Sequence, residues 1–183
     1  GWFVEDFTLA ELRTLRAKER LPQIRPANMR FDGLYQVPTF AEIVALVKAK
    51  QAETGRRIGL YPELKHPTFL QDAHGLDTVG LLLMELAEYG LTADDLVFIQ
   101  CFEVGPLKRL DALSDFKLVQ LIAPQGGPAD DSSMRYADMA AAEGIKQITT
   151  YADGIGPHFS YVLDEDGNPK EMTGLAHGEG LQI

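Results

Sequence analysis

Leu96-Val97-Phe98-Ile99-Gln100-Cys101 is the stretch that decides the fold. It is almost continuously apolar and too short for an ordinary helix. That is the pattern of a strand buried on both faces, rather than the in–out alternation of a strand with one wet face. Strands of this kind belong to parallel sheets covered by helices. Upstream, Arg57-Ile58-Gly59-Leu60-Tyr61-Pro62-Glu63-Leu64-Lys65 predicts a strand ending near Glu63. Downstream, Lys117-Leu118-Val119-Gln120-Leu121-Ile122 predicts a third. Between the strands the spacing predicts helices. One runs over roughly 76–89, with apolar positions nearly all round (Val79, Leu81, Leu82, Leu83, Leu86), and another opens at Gly105 and Pro106. A helical stretch from about Tyr136 to Thr150 leads to a fourth strand at Ala152–Gly156. The tail, Gly180–Ile183, reads as a strand that has only begun.

Alternating strands and helices, with strands buried on both faces, define a parallel α/β fold. An open nucleotide-binding sheet would carry a glycine-rich turn between its first strand and helix. No such turn occurs. Polar groups gather instead around successive strands: Glu63 and Lys65, then Gln100 and Glu103, then Gln120. A (β/α)8 barrel places its functional groups at the C-terminal ends of its strands. A whole barrel takes about 250 residues and eight strands. Four strands and a stub therefore predict part of such a barrel, a single domain over 1–183 that lacks the first and last strands.

The first fifty residues are less regular. Thr8 caps a helix start with Glu11 three residues on, and Leu9, Leu12 and Leu15 form a short apolar stripe. Residues 21–37 read as irregular. Thr39 and Glu42 repeat the capping pattern for a second helix, whose buried face is expected at Ile43, Val44, Leu46 and Val47, with Lys48 and Lys50 near its C-terminus. Ala123–Ser133 reads as a surface loop. Asp164-Glu165-Asp166-Gly167-Asn168 lacks the ligand spacing of a calcium loop and reads as a turn.

Of the 183 residues 45% are apolar and 24% charged, an ordinary globular composition. The net charge of −10 argues against nucleic acid or an anionic membrane surface as partner. A small anionic substrate is compatible with it, because one divalent metal or one lysine reverses the local field. Cys101 is the only cysteine, so no intrachain disulfide forms, and its apolar setting marks a buried small residue rather than a nucleophile. No apolar run is long enough to span a bilayer, and Gly1–Asp6 shows no signal-peptide pattern.

The chemistry concentrates in Tyr61-Pro62-Glu63-Leu64-Lys65-His66-Pro67. In an extended chain Tyr61, Glu63 and Lys65 share one face. A carboxylate and an ammonium at a barrel mouth suit phosphoryl chemistry, the first holding a hard cation and the second countering phosphate charge. On residue types alone, a structural ion pair at the rim of a core is the plainer reading.

A family resemblance shifts that balance. Glu63-Leu64-Lys65 resembles the Glu-x-Lys strand of the glycerophosphodiester phosphodiesterase family. Pro38-Thr39-Phe40-Ala41-Glu42 is similar to its Pro-Thr-x-x-Glu helix start, and Phe98–Glu103 to its next strand. Leu118–Ile122 and Tyr151–Pro157 resemble two later strands of the bacterial periplasmic type. The likeness implies a (β/α)8 barrel that hydrolyses glycerophosphodiesters to an alcohol and glycerol 3-phosphate. It implies a divalent cation, Ca2+ or Mg2+, with Glu63 as one of its ligands. It also implies two histidines as general acid and base, a small-molecule glycerophosphodiester as partner, and a periplasmic or secreted location. The family's His-Arg-Gly, Glu-x-Asp and His-Asp motifs do not occur here, so this stretch is expected to be an interior portion, inactive alone, with no catalytic histidine.

Residue by residue, Glu63 is the candidate metal ligand. Lys65, His66, Gln100 and Phe102 are candidate substrate contacts: a phosphate counter-charge, a polar neighbour, an amide for a substrate oxygen, and a surface for glycerol carbons. Glu103 is expected in the first turn of the following helix, favoured by its dipole. His74, His158 and His177 read as surface polar groups, with His158 also placed after a strand end. Two rival readings stand beside the phosphodiesterase: a phosphatidylinositol phospholipase C-like enzyme and a non-catalytic α/β binding domain.

Overall fold

The computed structural model describes every residue from Gly1 to Ile183. The chain falls into two compact units, Gly1–Leu46 and Val47–Ile183. In the first, the Thr8–Glu11 capping box forms as expected and starts α1 (Leu9–Leu12). The apolar stripe does not materialise: α1 lasts one turn, and Leu9 and Leu15 are exposed. A 3-10 turn at Pro26–Phe31 occupies the irregular stretch. Thr39 and Glu42 exchange their capping hydrogen bonds at the start of α2 (Phe40–Thr54). Of the four expected apolar positions on α2 only Val44 is buried, while Ile43 and Leu46 are exposed and Val47 is half-buried.

The second unit holds the sheet. Its strands are β1 (Glu63–Leu64), β2 (Phe98–Cys101), β3 (Lys117–Ile122) and β4 (Gly154–Pro157), all parallel and ordered as in the chain. A doubly wound sheet reverses its strand order at a switch point. Here every strand is added on the same side of its predecessor, as in an arc of a barrel. The arc continues at the tail, where Gln182 bridges in parallel to Gly154. The connections are helical: α3 (Pro67–His74) and α4 (Thr78–Glu88), then α5 (Val104–Leu113), then α6 (Tyr136–Met139) and α7 (Ala142–Ile148), and after β4 α8 (Phe159–Val162) and α9 (Glu171–Gly178).

One side of the sheet carries most of the core, and β3 is buried on both faces, with Val119 and Leu121 on the opposite one. Ile99 and Cys101 from β2, Leu118 and Ile122 from β3, and Ile155 from β4 are buried, as are Leu86, Leu107, Leu110, Ile145 and Ile148 of the helices. Each such Leu or Ile contributes about 1.5–3 kcal/mol over exposure. The other side differs from expectation. Phe98 and Gln100 are only half-buried, so β2 is not sealed on both faces. Strand alternation sends Ile99 and Cys101 into the helix layer and Phe98 and Gln100 to the concave side, which the four-stranded arc leaves partly open at β2.

Three local corrections have physical causes. Lys48 and Lys50 lie inside α2, which runs on to Thr54; Lys48 donates to the carbonyl of Tyr89, serving the C-terminus of α4 instead. The expected 136–150 helix breaks at Ala140–Ala141 into α6 and α7. The two pack so closely that a β-carbon on Gly144 would lie 2.3 Å from the Asp138 carbonyl oxygen. Finally, α3 was not expected; Pro67 opens it and Gly75, at φ 67°, closes it. The Asp164 turn is as read, its carboxylate accepting from the Asp166 and Asn168 amides. No helix is long and apolar enough to cross a membrane.

Candidate active site

The site is built at the C-terminal ends of β1 and β2. Register pairs Glu63 with Gln100 and Leu64 with Cys101, so the two strand ends lie level. Lys65 follows β1, and its Nζ stands 3.6 Å from Glu63 Oε2. The lysine side chain is 70% exposed and the glutamate 23%, so their attraction is worth about 0–1 kcal/mol. Next comes His66, exposed and in the left-handed region at φ 53°, the one non-glycine residue there. Buried Pro67 then starts α3. The turn thus presents Lys65 and His66 outward between two fixed ends.

At the end of β2, Phe102 packs edge-on against Tyr136, ring centroids 6.0 Å apart. Glu103 follows, only 3% exposed. It occupies the N-cap position of α5 rather than its first turn, and its carboxylate turns away from that helix to accept from the Thr68 amide of α3 at 2.9 Å. The first turn of α5 is served by Asp130, which accepts from Val104 and Gly105 and so ties down the 123–133 loop.

Glu63, Lys65, His66, Phe102, Glu103 and Tyr136 line one cleft of about 320 Å³. Gln100 is not among its walls; it lies beside Glu63, with its amide donating to the Tyr61 carbonyl. Gln120, expected as a strand-end group, is fully buried on the helix side. It accepts from the Tyr151 hydroxyl and donates to backbone carbonyls, including that of Phe102. A larger cavity of about 450 Å³ lies between α5 and α6–α7, away from every strand-end candidate.

A model of the glycerophosphoryl diester phosphodiesterase family matches residues 2–181. The chain belongs to that family. It is 29% identical over 199 residues to the glycerophosphodiester phosphodiesterase GDPD6 of Arabidopsis thaliana, covering all of this chain and 52% of the relative. The glycerophosphodiester phosphodiesterase of Haemophilus influenzae is 27% identical, covering 94% of this chain and 54% of its own length. That of Treponema pallidum is 29% identical, covering 90% and 52%. The chain spans about half the length of these relatives.

Membership in the glycerophosphoryl diester phosphodiesterase family accounts for the parallel arc as part of a barrel. It also sharpens the question of a metal. No three His, Cys, Asp or Glu side chains are arranged so that they could hold a metal ion, and Glu103 already accepts from Thr68. A Ca2+ or Mg2+ ion takes six or more oxygens. These residues do not make such a site by themselves. Burial and the charge of Glu63 raise the pKa of Tyr61, which stays a neutral phenol. Burial pushes the Cys101 thiol up to about 12, so it is inert, as read from its apolar setting.

In this family member the remaining histidines stand apart from the cleft. His158 follows β4, its amide donating to Ile122 and its Nδ1 2.9 Å from Ser160 Oγ. His74 packs against Phe69, and His177 is exposed near the end of α9. Sequence reasoning missed Tyr136 as a wall of the cleft. It lies outside every strand, and only its place just after the loop following β3 points to the mouth.

Proposed function

We propose that the intact protein hydrolyses glycerophosphodiesters to an alcohol and glycerol 3-phosphate with a divalent cation, Ca2+ or Mg2+, and that these 183 residues alone do not catalyse. The observation that supports this is the Glu63–Lys65 pair in one strand-end cleft of a chain matched to the phosphodiesterase family over residues 2–181. Glu63 supplies one carboxylate to a cation site completed by residues outside this stretch; bound there, the cation draws charge from the phosphate. Lys65 counters the phosphate charge, and His66 offers a hydrogen bond beside it. Phe102 packs on the glycerol carbons, while Gln100, expected to contact a substrate oxygen, lies outside the cleft wall and holds the Tyr61 carbonyl beside Glu63 instead. Water attacks phosphorus and the ester P–O bond to the alcohol breaks. The attacking water's proton goes to one histidine and the departing alkoxide receives a proton from another, both in segments beyond these residues. A periplasmic or secreted location belongs to the same proposal and rests on the likeness to the bacterial type; cell fractionation tests it.

The test is release of glycerol 3-phosphate from glycerophosphocholine by the intact protein, with chelator and with Ca2+ or Mg2+ restored. The expected result is metal-dependent release, with none from the 183-residue chain. Cleavage of phosphatidylinositol instead would establish the phospholipase reading. Turnover of neither substrate would establish the binding-domain reading.

A further inference from the structure

We propose that Glu103 is the positioning residue of the cleft: its buried carboxylate fixes the turn that carries Lys65 and His66. The inference rests on the functional reading above for what those two side chains do.

The geometry is a clamp with both jaws on one junction. Lys65 and His66 lie between Leu64, in register with Cys101, and Thr68, bonded to Glu103. Cys101 Sγ donates to the Leu64 carbonyl at 3.3 Å, and the Glu103 amide donates to the same sulfur at 3.3 Å. The two ends of the exposed turn are therefore held by residues two apart at the exit of β2. A helix start normally takes its cap from the residue just before it. In α3 that residue is His66, whose side chain makes no capping hydrogen bond. The Thr68 amide, one of the first-turn donors with no partner inside the helix, is served from 35 residues away.

The Glu103 carboxylate makes its hydrogen bond to the Thr68 amide and none to cap its own helix. Its own helix is capped by Asp130, so the carboxylate is not needed there. Meanwhile His66 occupies a backbone conformation that costs a non-glycine residue about 1–2 kcal/mol. Left free at Thr68, the turn would relax out of that conformation and carry the lysine away from Glu63.

The experiment uses the intact protein and four variants. Glu103→Ala is expected to lower kcat/KM for glycerophosphocholine about 10- to 100-fold, the cost of misplacing a binding group. It should also speed amide exchange over residues 65–70. Glu103→Gln, which keeps a carbonyl acceptor for Thr68, should restore most of both. Asp77→Ala removes a cap and an ion pair at α4 instead, and should lower thermal stability without changing kcat/KM. If Glu103→Ala does not fold, Glu103→Asp, one methylene short of Thr68, should show the same losses. Wild-type exchange over 65–70 in the alanine or aspartate variant overturns the proposal, and so does a kinetic profile matching Asp77→Ala. If the wild type hydrolyses no glycerophosphodiester, the functional reading fails. Amide exchange then decides the clamp by itself.

Discussion

Glu63 and Gln100 are register partners across β1 and β2, and Lys65 bends back over the first of them to 3.6 Å. The carboxylate therefore sits level with the neighbouring strand's polar end, partly sheltered, rather than out along the rim. Glu63→Gln separates its two possible duties, since glutamine keeps the shape and loses the charge. As a cation ligand, Glu63 should take metal affinity and turnover down together. The drop should be at least the roughly 10–100-fold seen when outer-shell partners of metal ligands are changed. As a mere partner for Lys65, it should cost no more than about 1 kcal/mol of stability and leave kinetics alone. Calorimetric titration of the intact protein with Ca2+ and Mg2+, alongside the glycerophosphocholine assay, distinguishes the two.

His66 gives a stability prediction with an unusual sign. A glycine at φ 53° pays no steric penalty, whereas a β-branched residue there is a genuine outlier. His66→Gly should leave the melting temperature unchanged or raised. His66→Val should destabilise beyond the cost that histidine already bears there. If the histidine also touches phosphate, both variants should raise KM for glycerophosphocholine. Paired thermal melts and steady-state kinetics provide the check, and equal melting temperatures for the two variants would remove the backbone argument.

Most of the strand positions were legible because burial against helices imposes a simple apolar code, and Lys117–Ile122 emerges with the bounds expected for it. The capping boxes at Thr8 and Thr39 were legible for the same local reason. What escaped was set by distant partners. Glu103 reads as a helix-start carboxylate in any local window, and only the fold brings Thr68 to it. Gln120 lies on a strand and is polar, yet the Tyr151 hydroxyl gives it a partner on the helix side. The exposure of Phe98 and Gln100 was hidden because an apolar run records which faces a strand can bury, not how many neighbours close the arc. In the site, Glu63 and Lys65 come together as strand alternation requires, while Gln100 shares their row without reaching the cleft wall.

Asp77 supplies a pH dependence. It accepts from the Gly80 amide at the start of α4, and both its oxygens take the Arg109 guanidinium at 2.6 Å. The arginine hydrogen bonds foremost, then the Gly80 amide, hold its pKa down to about 2. A carboxyl whose folded value lies below its unfolded value of about 4 stabilises the fold above that pH. The contribution fades as pH falls toward 2. Asp77→Asn keeps a competent cap and removes the charge. The melting-temperature gap between wild type and Asp77→Asn should hold steady above about pH 5 and close between about pH 4 and 2. A gap that persists at pH 2 would mean that Arg109 is not its source.

The 183 residues taken alone should not behave as a quiet monomer. The sheet pairs only inward at β1, and beyond β4 it has a single bridge, at Gln182. Unpaired strand edges of that kind recruit other chains. The concave face adds to the hazard, because Tyr61 and Phe102 are exposed there and Phe98 is half-buried. The helix side is well packed, so the chain should retain helical circular dichroism while it associates through the edges and the open face. Light scattering behind size exclusion should show species larger than 20.2 kDa, and melting should be broad. Segments that complete the barrel should abolish both effects by pairing the edges and covering those rings. A sharp two-state melt from a monomer of the isolated chain would mean that the four-stranded arc is self-sufficient, and the proposal that it is part of a larger barrel would lose its physical basis.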